Sequence, residues 1–157
     1  MQITLMAIGK TDAKELVVLV DEYKKRLGRY IKFQLLVIPD LKNNKNLTET
    51  QQKEKEGELI LAQIETSDRI ILLDESGKQF TSVSFSNYLQ KKMNSGLKRL
   101  VFVIGGPYGF GDKVYERANE KISLSSMTFS HQMVRLFAIE QLYRAFTILR
   151  NEPYHHQ

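Results

Sequence analysis

Residues able to do chemistry crowd into the last third of the chain. Gly105-Gly-Pro-Tyr-Gly-Phe-Gly111 follows the apolar run from Arg99 to Ile104. Glycines after a strand let the backbone take positive φ and let a ligand come close to main-chain N–H groups. The loop is not a phosphate-gripping P-loop, because no Gly-Lys-Ser/Thr follows, and its spacing is not G-x-G-x-x-G. A plain tight turn explains it equally well. Leu73 and Asp74 close another apolar run and could line the same crevice, although core and turn roles also suit them.

Ser130 and His131 open a long helical pattern. Serine caps helix starts, and the positive end of the helix dipole favours a neutral imidazole. His131 can therefore serve a site or simply hydrogen-bond within the fold. Arg135 falls on the apolar stripe of Val134, Ala138, Leu142, Ala145 and Leu149. A guanidinium there needs a carboxylate or phosphate, or it marks where the stripe meets a polar site. The sequence stops on Pro153-Tyr-His-His-Gln157, where Tyr154 and His155 offer a π-face and a titratable ring. Chain ends ordinarily fray, so a disordered tail is the competing reading. The 3 histidines have no zinc spacing, and no metal site is predicted.

The pattern that must position these groups alternates strands with helices. Strands are predicted at Ile3–Ile8, Phe33–Ile38, Arg69–Leu73, Arg99–Ile104 and Ile122–Leu124. Helices are predicted at Asp12–Leu27, from Thr48 through Ile64, at Ser84–Asn94, Lys113–Ala118 and Ser130–Arg150. Such alternation implies an α/β fold, a parallel sheet flanked by helices on both faces. The final helix is apolar nearly all round, with Met133, Phe137 and Ile148 opposite the main stripe. In a domain of 157 residues, the second cover is expected from another subunit.

Bulk composition narrows the class. A length of 157 residues predicts one domain, and 42% hydrophobic residues suffice for its core. A net charge of +5 permits a polyanionic partner such as RNA, with Lys10, Lys14 and Arg144 as candidate contacts. The absence of cysteine excludes disulfides and thiolate chemistry. With neither a secretory-type start nor a span of about 20 apolar residues, a cytoplasmic protein without membrane contact is expected.

Several ordered motifs carry a resemblance. These are Leu73-Asp-Glu-Ser-Gly77, Phe102-Val-Ile-Gly-Gly-Pro-Tyr-Gly109, Leu124-Ser-Ser-Met-Thr-Phe-Ser-His-Gln-Met-Val-Arg135, Glu140-Gln-Leu-Tyr-Arg-Ala145 and Pro153-Tyr-His155. Together they resemble the ribosomal RNA large subunit methyltransferase H family of the SPOUT superfamily, and the likeness extends to Met1–Lys10 and Lys53–Gly57. Ser130 departs from it, where many relatives have proline; both suit a helix start.

The resemblance implies a carboxy-terminal deep trefoil knot and a homodimer. It also implies S-adenosylmethionine as methyl donor, and transfer to N3 of a pseudouridine in 23S rRNA of the assembled ribosome. By motif, donor contacts fall to Leu73, Gly105, Leu124, Ser125, Ser126, Met127, Thr128 and Phe129. Arg135 is the expected cation near the imide, with Tyr154 and His155 positioning the base or relaying its proton. Two other classes share the pattern. A dimeric RNA- or nucleotide-binding module without catalysis would give little heat with the donor, and a flavodoxin-like redox protein would be yellow.

Overall fold

The computed structural model describes residues 1–156. Five strands, β1 (Gln2–Ile8), β2 (Lys32–Ile38), β3 (Arg69–Gln79), β4 (Arg99–Ile104) and β5 (Glu120–Ser123), form one parallel sheet in the order β2-β1-β4-β3-β5. Five α-helices connect or follow them: α1 (Lys14–Leu27), α2 (Glu49–Leu61), α3 (Ser82–Asn94), α4 (Asp112–Arg117) and α5 (Met133–Leu149).

Period-two alternation divides the strand side chains between two cores. Ile3, Leu5, Ala7, Leu100, Phe102 and Ile104 face a layer that includes Leu16, Val20, Leu89, Ile139 and Leu142 from α1, α3 and α5. Met6, Ile8, Val101 and Val103 face Ile60 of α2 and Val114 of α4. Both faces are covered, so the central strands read as continuous apolar runs. The α/β architecture expected from the sequence is what the chain adopts. Among the described residues, no helix is long and apolar enough to cross a membrane.

Several boundaries differ from the sequence pattern, three of them with a visible cause. Helix α5 begins at Met133, three residues after Ser130. The Ser130 hydroxyl accepts from the Met133 N–H at 3.1 Å, so the serine caps from within a preceding turn that holds His131. Helix α3 begins at Ser82 because the Thr81 hydroxyl accepts from the Ser84 N–H at 3.1 Å. Strand β3 continues to Gln79, and its pairing with β5 breaks between Leu73 and Lys78. Asp74-Glu-Ser-Gly77 is thus a bulge inside a strand. Gly77 lies against β5, where a Cβ would stand 2.5 Å from the Ile122 backbone nitrogen. Helix α2 starts as predicted, with Thr48 and Gln51 forming a reciprocal capping box.

Candidate active site

The carboxyl ends of β3, β4 and β5 and the turns beyond them enclose a cavity of about 730 Å³. Ligands of open parallel sheets bind at this end. Three turns separated in sequence build the walls. The first is the β3 bulge, where Asp74 Oδ1 accepts from the Ser76 N–H at 2.8 Å. Burial pushes the Asp74 carboxyl up, but hydrogen bonds from Ser76 and Tyr115 outweigh it and hold it below its ordinary value. Asp74 is therefore an ionised group on the wall. Burial, and then the bond to Asp74, raise the Tyr115 phenol to about 12.

The second turn follows β4. Gly109 takes φ +80°, and its N–H donates to the Gly106 carbonyl at 3.1 Å. A Cβ on Gly105 would stand 3.2 Å from the Gly109 carbonyl carbon. The glycines are thus required by a hairpin-tight loop. The third turn follows β5. The Ser123 hydroxyl donates to the Ser125 carbonyl at 2.8 Å, and the Met127 N–H donates to Ser125 Oγ at 3.0 Å. Met127 is left 76% exposed.

Leu73, Gly105, Leu124, Ser125, Met127, Thr128 and Phe129 all line this cavity, together with His131 and Val134. Ser126 does not line it; its hydroxyl instead accepts from Gln79 Nε2 at 2.8 Å.

Arg135 sits elsewhere. It is fully buried, and burial lowers its pKa. Its Nε donates to the His131 carbonyl at 3.0 Å, Nη2 to the Ile8 carbonyl at 2.7 Å, and Nη1 to the Gly9 carbonyl at 2.6 Å and Thr11 Oγ1 at 3.3 Å. Its partners are backbone oxygens and a hydroxyl, not a carboxylate or a phosphate. Within one chain Arg135 ties the end of β1 to the start of α5 and does not reach the cavity.

Tyr154 and His155 are ordered but also lie away from the cavity. The Tyr154 hydroxyl donates to Glu140 Oε1 at 3.0 Å and contacts the Tyr23 hydroxyl at 3.2 Å. Burial, then these two bonds, push its pKa above the ordinary range. Arg144 Nη1 lies 3.3 Å from His155 Nδ1, and its guanidinium stands 4.8 Å from the Tyr154 ring centre. Arg144 also grips Glu140, with Nε and Nη2 on Oε1 at 3.1 and 2.6 Å. Tyr30 holds Glu152 of the same tail. The sequence reading left Glu140 without a role and gave Arg144 only a surface one. The i, i+4 acid–base spacing of Glu140 and Arg144 was the available signal.

A family profile described as "Predicted SPOUT methyltransferase" matches residues 1–155. The "Ribosomal RNA large subunit methyltransferase H" proteins of Flavobacterium johnsoniae and Parabacteroides distasonis are 70% and 64% identical, each over 100% of both chains. The chain belongs to the ribosomal RNA large subunit methyltransferase H family of SPOUT methyltransferases. A probable methylase family protein from Haemophilus influenzae, 11% identical, superposes with a TM-score of 0.52 over 95% of this chain and 66% of that one. That likeness speaks for the fold alone.

A methyltransferase of this family needs a methyl donor, and the cavity fits one. Its volume lies in the range of small-molecule sites. Leu73, Ile104, Leu124 and Val134 offer apolar surface, while Asp74 and the turn backbones offer polar contacts.

Proposed function

We propose that this chain is an S-adenosylmethionine-dependent methyltransferase, working as a homodimer on N3 of a pseudouridine in 23S rRNA of the assembled ribosome. Supporting this is the convergence of three sequence-distant turns, each named by the family resemblance, on one cavity at the strand ends. In the same reading, the segments after β4 and β5 take the knotted path of that superfamily.

The donor supplies a methyl group activated on a sulfonium. The chain's residues must bind and orient it, and make the acceptor imide nucleophilic. Leu73, Gly105, Leu124, Ser125, Met127, Thr128 and Phe129 grip the donor, and Ser126, tied to Gln79, holds their turn. His131 and Val134 close the wall, and Arg135 positions them by tying the His131 carbonyl to β1. With Arg135 occupied by backbone carbonyls, the role expected of it as the cation at the imide passes to Arg144, aligned by Glu140. It favours the N3 anion by electrostatics. Arg144 Nη1 donates to His155 Nδ1, so the neutral ring carries its proton on Nε2, an N–H that can donate to a base carbonyl beside N3 and stabilise the imide anion, whose proton passes to solvent. Nε2 is covered and without a hydrogen-bond partner among the described residues, so RNA engages the tail by displacing part of its cover. Tyr154 positions this pair.

One chain keeps the tail cluster and the cavity apart, and a second copy is the economical way to join them. An apolar face supports that copy. Phe129, Met133 and Phe137 are each more than a third exposed, and the Phe129 and Phe137 rings stand 4.9 Å apart. Mass spectrometry of 23S rRNA from unmethylated ribosomes, incubated with protein and donor, tests the proposal. One added methyl on a pseudouridine is expected. Unchanged rRNA at saturating donor refutes it.

A further inference from the structure

Glu56 is an anomaly outside the groups used above. It lies in the middle of α2, is only 4% exposed, and has one oxygen, Oε2, with no hydrogen-bond partner among the described residues. Its other oxygen accepts from Gln52 Nε2 at 3.0 Å. Among the described residues, no cation forms a salt bridge with it. Burying an acid this way is costly unless something recovers the cost.

Its neighbours show where the charge points. Glu56 lies directly under the loop after β4, where a methyl group added to Gly106 would overlap Oε2. Gly106 lines the cavity. Helix α2 is seated tightly beneath this loop: a Cβ on Gly111 would stand 3.2 Å from the Lys53 carbonyl, and one on Gly57 would stand 3.0 Å from Val114. Gly106 thus lines the ligand space and also packs against the carboxyl group. Burial raises its pKa; the nearby Asp40 carboxylate adds to this, and His131 opposes it. A positive ligand behind Gly106 would favour the carboxylate form.

We propose that Glu56 is a specificity-determining residue that makes the cavity prefer a cationic methyl donor over its neutral demethylated product. The inference rests on the donor assignment above. Methyl transfer removes one positive charge from the ligand, turning a sulfonium into a thioether. A bound cation draws Glu56 into its carboxylate form, and that charge acts on the ligand through the low-dielectric protein behind Gly106. The donor is held, and the product loses that attraction and leaves. Asp74, ionised on another wall, acts in the same sense.

Calorimetry with S-adenosylmethionine and S-adenosylhomocysteine, on wild type and Glu56→Gln, tests this. The amide keeps the volume and can still bond Gln52, and it carries no charge to desolvate. Glu56→Gln is expected to weaken donor binding about tenfold and to leave product binding within about twofold. Glu56→Met, a second neutral variant, is expected to show the same selective loss. Equal losses for both ligands, or no loss for either, overturn the inference and make Glu56 a support for the loop only. Wild-type protein that binds neither ligand overturns the donor assignment itself, and this proposal with it.

Discussion

Around the cavity, the chain closes its turns largely with backbone atoms and short hydroxyls: Gly109 onto Gly106, Met127 onto Ser125, Ser76 onto Asp74. Met127 is left exposed, and the oxygen beneath the loop is left unpaired. Around the tail, long side chains lock together. Tyr23, Tyr30, Tyr143 and Tyr154 pack edge to face at 4.7 to 5.9 Å, and Glu140 and Glu152 collect phenols and a guanidinium. A donor site must open, exchange its ligand and close at every turnover, so its contacts are left for the ligand to complete. A group that aligns a base gains from being held before the base arrives.

Breaking the tail should separate the two regions most clearly. Deleting residues 154–157 is expected to cut methyl transfer to ribosomes about a thousandfold, the size of a lost hydrogen-bond donor to the developing anion. Donor affinity should stay within about twofold, measured by calorimetry. Equal loss of both would mean that tail and cavity are not separate units.

Arg135→Ala probes the joint between β1 and α5. It leaves the Ile8, Gly9 and His131 carbonyls without their buried donor. A stability loss of about 3 kcal/mol is expected from the cavity and unpaired groups, read by denaturant unfolding. A variant of wild-type stability would show that the clamp is dispensable.

Gly106→Ala sharpens the description of the cavity. Its methyl group meets the Glu56 carboxylate, so that side chain or the loop must move. Donor affinity is expected to fall by about tenfold, with the tail contacts intact by near-ultraviolet circular dichroism.

The smallest effect concerns pH. Tyr30 is raised to about 12 from an ordinary 10.0, first by its bond to Glu152 and then by burial. A raised folded pKa means the protonated phenol stabilises the fold. That contribution is complete below pH 10.0 and is lost as pH rises through about 12. Unfolding measured across this window should show a decline that Tyr30→Phe removes.

Most of the scaffold was legible because buried parallel strands and their covering helices leave strong periodic signals, as in Leu100–Ile104 and Leu16–Leu27. The cavity turns were legible in part, through glycines that only a tight loop explains. Three things were hidden. Asp74-Glu-Ser-Gly77 reads as a turn, and only its pairing partner Ile122 shows it to be a bulge. Arg135 advertises a charged partner, but the backbone carbonyls that meet it lie 126 and 127 residues away. The tail reads as frayed because its anchors, Tyr23 and Tyr30, are 131 and 122 residues distant from Tyr154 and Glu152. Long-range pairing of single side chains leaves no local pattern.

Mixed dimers offer the most direct test that cavity and tail are halves of one active site joined by a second copy. One subunit would carry a bulky Gly106→Asp substitution and an intact tail; the other would carry an intact cavity and lack residues 154–157. Each variant alone should leave 23S rRNA unmodified by mass spectrometry, and the mixed dimer should restore methylation toward half the wild-type rate. A mixed dimer as inactive as its parents would contradict the account.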